Sequence, residues 1–133
     1  GLQHDPRTRG GAITVAASHI ASSIEAKALV AFTQTGDTVR RLARLHCDLP
    51  LLAFTPDPAV RTQLALSWGV EAFEVPFVQH TDDMFRQVDR ALVDLGRAQP
   101  GDLVVIVAGS PPGTPGSTNT LRVHRLGSLA GVG

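Results

Sequence analysis

Three features of the sequence predict an α/β domain built on one open, mostly parallel sheet. Short apolar runs alternate with segments of helical period, the arrangement that yields a parallel sheet with helices packed on its faces. The runs ALVAFT (28–33), LLAFT (51–55) and LVVIV (103–107) are apolar almost throughout, as strands covered on both faces must be. The connection after the fourth run, AGSPPGTPGSTN, holds turn residues and no helical pattern, so the last strand returns antiparallel instead of crossing over. A length of 133 residues suits one domain, and an apolar content of 43% is enough to fill its core.

Each element has its own signal. Residues 1–11, GLQHDPRTRGG, read as a linker or arm without an apolar h-region. Ile13, Ala16, Ala17, Ile20 and Ile24 recur at helical spacing and predict a helix from Ala12 to about Ala26. Strand one is followed by the turn TQTGDT and a helix with Val39, Leu42, Ala43 and Leu45 inward. After strand two, Asp57 as N-cap, Pro58 at the first helical position and Gly69 beyond the end frame a helix whose buried stripe is Val60, Leu64 and Trp68. Strand three is VEAFEVP (70–76), alternating and more exposed. Thr81 caps the next helix, with Met84, Val88, Leu92 and Leu95 on one side and Gly96 as its stop. Strand four precedes the Gly/Pro loop, and TLRVHRL (120–126) is strand five. Residues 12–127 make the domain and 128–133 a loose tail. Right-handed crossovers put strands two and three on one side of strand one, and a reversal puts strand four on the other. The result is a three-layer, Rossmann-like open sheet of five strands in the order 3-2-1-4-5, strand five antiparallel. The triplets Ala31-Phe32-Thr33, Ala53-Phe54-Thr55 and Ala72-Phe73-Glu74 read as matching layers of that sheet.

Ligands of such sheets lie beyond the carboxyl ends of the strands where the order reverses. That rim is served by the loops after strands one and four, which are also the loops richest in Gly, Ser and Thr. The first supplies Thr33, Gln34, Thr35, Gly36, Asp37 and Thr38; the second includes Ser110, Gly113, Thr114, Gly116, Ser117 and Thr118. Hydroxyls, a glycine that lets amides approach closely and the N-terminus of a helix suit a phosphate. Arg40 and Arg41 in the first turn oppose the helix dipole, which a bound anion would offset. The competing reading is that Asp37 is an N-cap and the turn holds nothing. The second loop lacks the GxxxxGK[ST] pattern and leads into a strand, and Ser110 is not in GxSxG.

Other chemistry finds little support. Twelve acidic and twelve basic residues cancel, which argues against nucleic acid or an anionic membrane as the main partner. Cys47 is the one cysteine, so no internal disulfide and no Cys-based zinc site are expected, and a reducing cytoplasmic setting fits. His4, His19, His46, His80 and His124 have no metal-ligand spacing. The basic residues are eleven arginines and one lysine, Lys27, which falls at the end of the sheet opposite the crevice and is a poor catalytic candidate.

The segments AKALVAFTQTGDTVRRLARLH and GDLVVIVAGSPPGTPGSTNTLRVHRLG, with their separation, closely resemble the C-terminal domain of bacterial pyruvate kinases, actinobacterial ones most of all. The likeness runs from about Pro6 to Gly127. It implies a five-stranded domain of the order given above that binds a phosphorylated effector and contributes an interface of a tetramer. The effector-phosphate loop would fall on Thr33 to Thr38 and the covering loop on Ser110 to Asn119. Arg122, His124 and Arg125 of the last strand become candidates for the interface. The resemblance implies that catalysis, with Mg²⁺ and K⁺, belongs to a barrel of about 250 residues that this chain lacks. No catalytic residue, metal or cofactor is expected in this domain itself. Its partners would be the rest of a pyruvate kinase chain, further copies of that chain and a small phosphorylated ligand. Relatives that take fructose bisphosphate often place a basic side chain where this sequence has HTDDMF, with Met84 near that place and Arg86 offset. This departure favours a monophosphate or nucleotide. A purely structural oligomerisation domain and a free-standing phosphometabolite-binding protein are the alternatives.

Overall fold

A computed structural model describes residues 9–45, 48–67, 69–108 and 120–127. The elements run α1 (Arg9–Ser23), β1 (Ala28–Phe32), α2 (Asp37–Arg44), β2 (Leu51–Thr55), α3 (Pro58–Leu64), β3 (Val70–Glu74), α4 (Thr81–Asp94), β4 (Leu103–Ala108) and β5 (Thr120–Arg125). The strands form one sheet in the order β3-β2-β1-β4-β5. Every neighbouring pair is parallel except β4 with β5. The expected order and the single antiparallel strand are therefore both found.

Alternation along the strands sorts the core into two layers. Leu29, Ala31, Leu51, Ala53, Ala72, Val105 and Val107 face α1, α2 and α3, where Ala17, Ala21, Val39, Leu42, Val60 and Leu64 meet them. Ala28, Val30, Leu52, Phe54, Val104 and Ile106 face α4, which supplies Phe85, Val88 and Leu92. The lone position of α4 follows from handedness. Successive crossovers to β2 and β3 move one way along the sheet; the crossover to β4 moves back past β1, so a right-handed turn must use the opposite face.

The three Ala-Phe triplets lie in register: Ala31 pairs with Ala53 and Ala53 with Ala72, while Phe32 pairs with Phe54 and Phe54 with Phe73. The rings pack edge to face, with centroids 5.4 Å apart for Phe32–Phe54 and 5.7 Å for Phe54–Phe73.

Some boundaries and faces differ from the sequence reading. Helix α1 begins at Arg9, so residues 9–11 belong to it and not to an arm. Within α1 the buried residues include Ala17, Ala21 and the polar Thr14, whose hydroxyl donates to the Gly11 carbonyl at 2.9 Å, whereas Ala16 is exposed. Helix α3 stops at Leu64, short of Gly69, and the intervening chain closes on itself through Leu66 N–H to Gln63 O and Ser67 N–H to Leu64 O. Trp68 lies outside the described residues, as do His46, Cys47 and the tail. The N-cap position of α4 is His80, which makes no side-chain cap bond, and Thr81 is the first helical residue. Leu95 is 48% exposed, not buried, because it falls past the last helical turn. Asp57 does cap α3 as expected, its carboxylate accepting from the Ala59 and Val60 amides at 2.8 and 3.4 Å. Lys27 is exposed at the amino end of β1, its backbone N–H held by the Leu103 carbonyl.

Candidate functional site

Strands β1 and β4 are parallel neighbours, with Ala31 opposite Val107. The chain therefore leaves both at one end of the sheet, and at this point the order reverses, since β2 lies on the other side of β1. This is the rim at which open α/β sheets hold ligands. Residues 33–38 stand on it. The connection carrying Ser110, Gly113, Thr114, Gly116, Ser117 and Thr118 starts from it, but those residues lie outside the described ones.

The turn after β1 is built from its own hydroxyls. Thr33 still belongs to the sheet through its N–H, which donates to the Phe54 carbonyl at 3.0 Å. Its buried side-chain oxygen accepts the Gly36 N–H at 2.6 Å. The Thr35 hydroxyl takes the Asp37 N–H at 3.4 Å, a weak contact. Gln34 is half-buried, Thr35 and Asp37 are exposed, and Thr38 is buried in the first turn of α2.

Two sequence readings are corrected here. The N-cap of α2 is Gly36, with φ +94° and no side chain to cap with; Asp37 is the first helical residue. Its carboxylate then pairs with Arg40 three residues on, Nη1 to Oδ1 at 3.4 Å. The same Nη1 donates to the Thr35 carbonyl at 3.1 Å. The unfavourable meeting of Arg40 with the helix dipole is thus answered inside the chain, without an anion. Arg40 is the side chain at this turn that sequence reasoning undervalued. Its i,i+3 spacing from Asp37 was the available signal. The guanidinium lies so close over Gly36 that a Cβ there would sit 2.9 Å from Nη1.

This pairing is loosely held. Arg40 and Asp37 are 39% and 64% exposed, and pairs of that kind are worth roughly 0–1 kcal/mol. A phosphate group at the turn could take Arg40 from Asp37 with little loss. Farther along the rim, Met84 is buried in the core at 3% exposure and turns no side chain to solvent. Arg86 is engaged with Asp83 at 3.2 Å.

The last strand divides its three candidates. Arg122 lies over the Phe85 ring, 4.4 Å from its centroid, and Arg125 is exposed and donates to the Gly101 carbonyl. His124 is not a surface residue: its side chain is fully buried and bonded to Asp89. Its strand register turns it under α4 and away from the surface of this chain. Among the described residues no group of three or more His, Cys, Asp or Glu side chains is placed to hold a metal ion, and no helix is long and apolar enough to cross a membrane.

An open α/β sheet with a glycine-hydroxyl turn at its order reversal defines the general class, an α/β domain with a ligand-type rim. The chain belongs to a particular family within it: the family model for the pyruvate kinase alpha/beta domain matches residues 11–124. It is 64% identical over 126 residues to a pyruvate kinase of Mycobacterium tuberculosis strain H37Rv, covering 95% of this chain and 27% of that relative. A Corynebacterium efficiens pyruvate kinase is 57% identical over the same length, and one from Geobacillus stearothermophilus is 39% identical over 122 residues. The chain thus spans about a quarter of the curated relatives it matches. The solved structure of Cryptosporidium parvum pyruvate kinase in complex with ADP superimposes with a TM-score of 0.80 at 24% identity, over 92% of this chain and 24% of that one, a likeness of fold.

Proposed function

We propose that this chain is the regulatory part of a pyruvate kinase. Residues 33–38, together with the connection through Ser110–Asn119, bind a metabolite carrying one phosphate, a sugar monophosphate or a nucleotide such as AMP. The observation that carries the reading is the Gly36 turn: a left-handed glycine and threonine hydroxyls open a helix at the reversal of strand order, with an arginine whose pairing to Asp37 is loosely held. Asp37 beside the turn weighs against a ligand with more charge, such as a bisphosphate. The β5 edge, with Arg122 and Arg125, contributes to assembly of the tetramer. Catalysis, transfer of a phosphoryl group from phosphoenolpyruvate to ADP with Mg²⁺ and K⁺, belongs to the part of the relatives this chain does not match, and the whole acts in the cytoplasm. Effector binding would bias the assembled enzyme by a coupling of typically ~1–3 kcal/mol.

A second reading is supported by one observation: the turn already satisfies itself through Thr33, Thr35 and the Asp37–Arg40 pair, as a purely structural element would. Thermal unfolding of the chain with glucose 6-phosphate, AMP and fructose 1,6-bisphosphate separates the two. A ligand at 100 times its dissociation constant adds about 2.7 kcal/mol, and a monophosphate is expected to give the largest rise. The Asp37→Ser variant should respond more strongly, while its own stability falls by about 1 kcal/mol or less. Absence of any shift, in both the parent and the variant chain, leaves the structural reading in place.

A further inference from the structure

Asp89 and His124 form a buried pair that the rim site does not use. Asp89 lies in α4 and His124 in β5, with Nε2 and Oδ2 3.0 Å apart. The imidazole is 0% exposed and the carboxylate 8%. The Gly127 N–H, just beyond β5, donates to both carboxylate oxygens at 3.0 and 3.1 Å. With Asp89 as a carboxylate both of its oxygens can only accept, and the imidazole tautomer that pairs with it is the one with its hydrogen on Nε2. The other nitrogen, Nδ1, is buried without a hydrogen-bond partner among the described residues, and among these Asp89 is the polar group that orients the ring.

The contact repeats one helical turn away. Phe85 precedes Asp89 by four residues and carries the Arg122 guanidinium on its ring; Arg122 precedes His124 by two. An i,i+4 pair on the helix thus meets an i,i+2 pair on the strand, each on a single face. Besides its ladder to β4, the end of β5 is tied by the Gly101 N–H to the Leu126 carbonyl at 2.7 Å, the Leu126 N–H to the Asp102 carbonyl at 2.8 Å, and Arg125 on the Gly101 carbonyl. On its opposite face Leu121 is only partly buried, and Val123 is 45% exposed.

We propose that the Asp89–His124 pair is a latch that sets the pose of the edge strand. It holds β5 and the Gly127 turn as one unit on α4, and its loss frees that unit while β3, β2, β1 and β4 stay folded. The proposal stands apart from the effector reading, since neither residue touches the rim. Asp89 acts as a positioning residue through His124.

The test is hydrogen exchange and ¹⁵N imidazole NMR on the full chain, with the variants Asp89→Asn and His124→Phe. The wild-type ring should show the hydrogen on Nε2. An Asn side chain offers one acceptor where two are needed, and Phe fills the space without polar atoms. Both variants should speed exchange of the 121–127 amides, on the order of 10- to 100-fold, with the β1 and β2 amides keeping their wild-type rates. Three results overturn the latch: hydrogen on Nδ1 in the wild type, unchanged exchange in β5, or acceleration spread evenly over all strands. A variant that loses its fold altogether also overturns it, because β5 would then not be separable from the core.

Discussion

Gly36 carries two demands at one position. Its φ of +94° is costly for any residue with a side chain, and the Arg40 guanidinium occupies the space a Cβ would take. Gly36→Ala should destabilise the chain by about 1–2 kcal/mol, the usual cost of a left-handed conformation for a non-glycine residue. Arginine is flexible and can swing away, so the contact is the smaller component. Adding Arg40→Ala should accordingly leave most of the loss in place, as urea unfolding of the single and double variants would show. Full recovery in the double variant would mean that crowding, not backbone conformation, selects glycine here. The sequence made Gly36 visible as a turn residue, but not the cap assignment. An aspartate before a helix looks like an N-cap, and only the backbone reveals that the preceding glycine holds that position while Asp37 pairs with Arg40.

At the scale of elements, the phenylalanine tier gives the clearest expectation. Phe54 is fully buried between Phe32 and Phe73, both of which are partly exposed. Phe54→Ala should cost about 3–5 kcal/mol, since it leaves a cavity between two rings and beneath α4. Phe32→Ala and Phe73→Ala should each cost less, because their neighbours and water can fill part of the space; chemical denaturation of the three variants gives the ranking. This tier was legible in advance because β1, β2 and β3 repeat Ala-Phe at equal offsets, and parallel register converts equal offsets into contact. Leu95 was not legible. It continues the helical period of Met84, Val88 and Leu92, and periodicity alone does not say where the sheet beneath a helix ends. The start of α1 was hidden for a related reason, as the glycines at 10 and 11 read as linker until tertiary packing overrides their low helix propensity.

Over the whole molecule, strand order was readable because handedness leaves few choices once three β-α-β crossovers and a helix-free return are recognised. The pairing of Asp89 with His124 was not, since 35 residues separate them and neither has a motif to announce the other. The geometry that placed the rim at the carboxyl end of β1 placed the single lysine at the other pole, exposed before β1 begins. For anyone building a sensor, Lys27 is then a lone side-chain amine for a dye or a solid support, remote from residues 33–38. If the proposed phosphate ligand binds at residues 33–38, protein acylated at Lys27 should bind it with the same midpoint as unmodified protein, a comparison that titration calorimetry of the two can make directly.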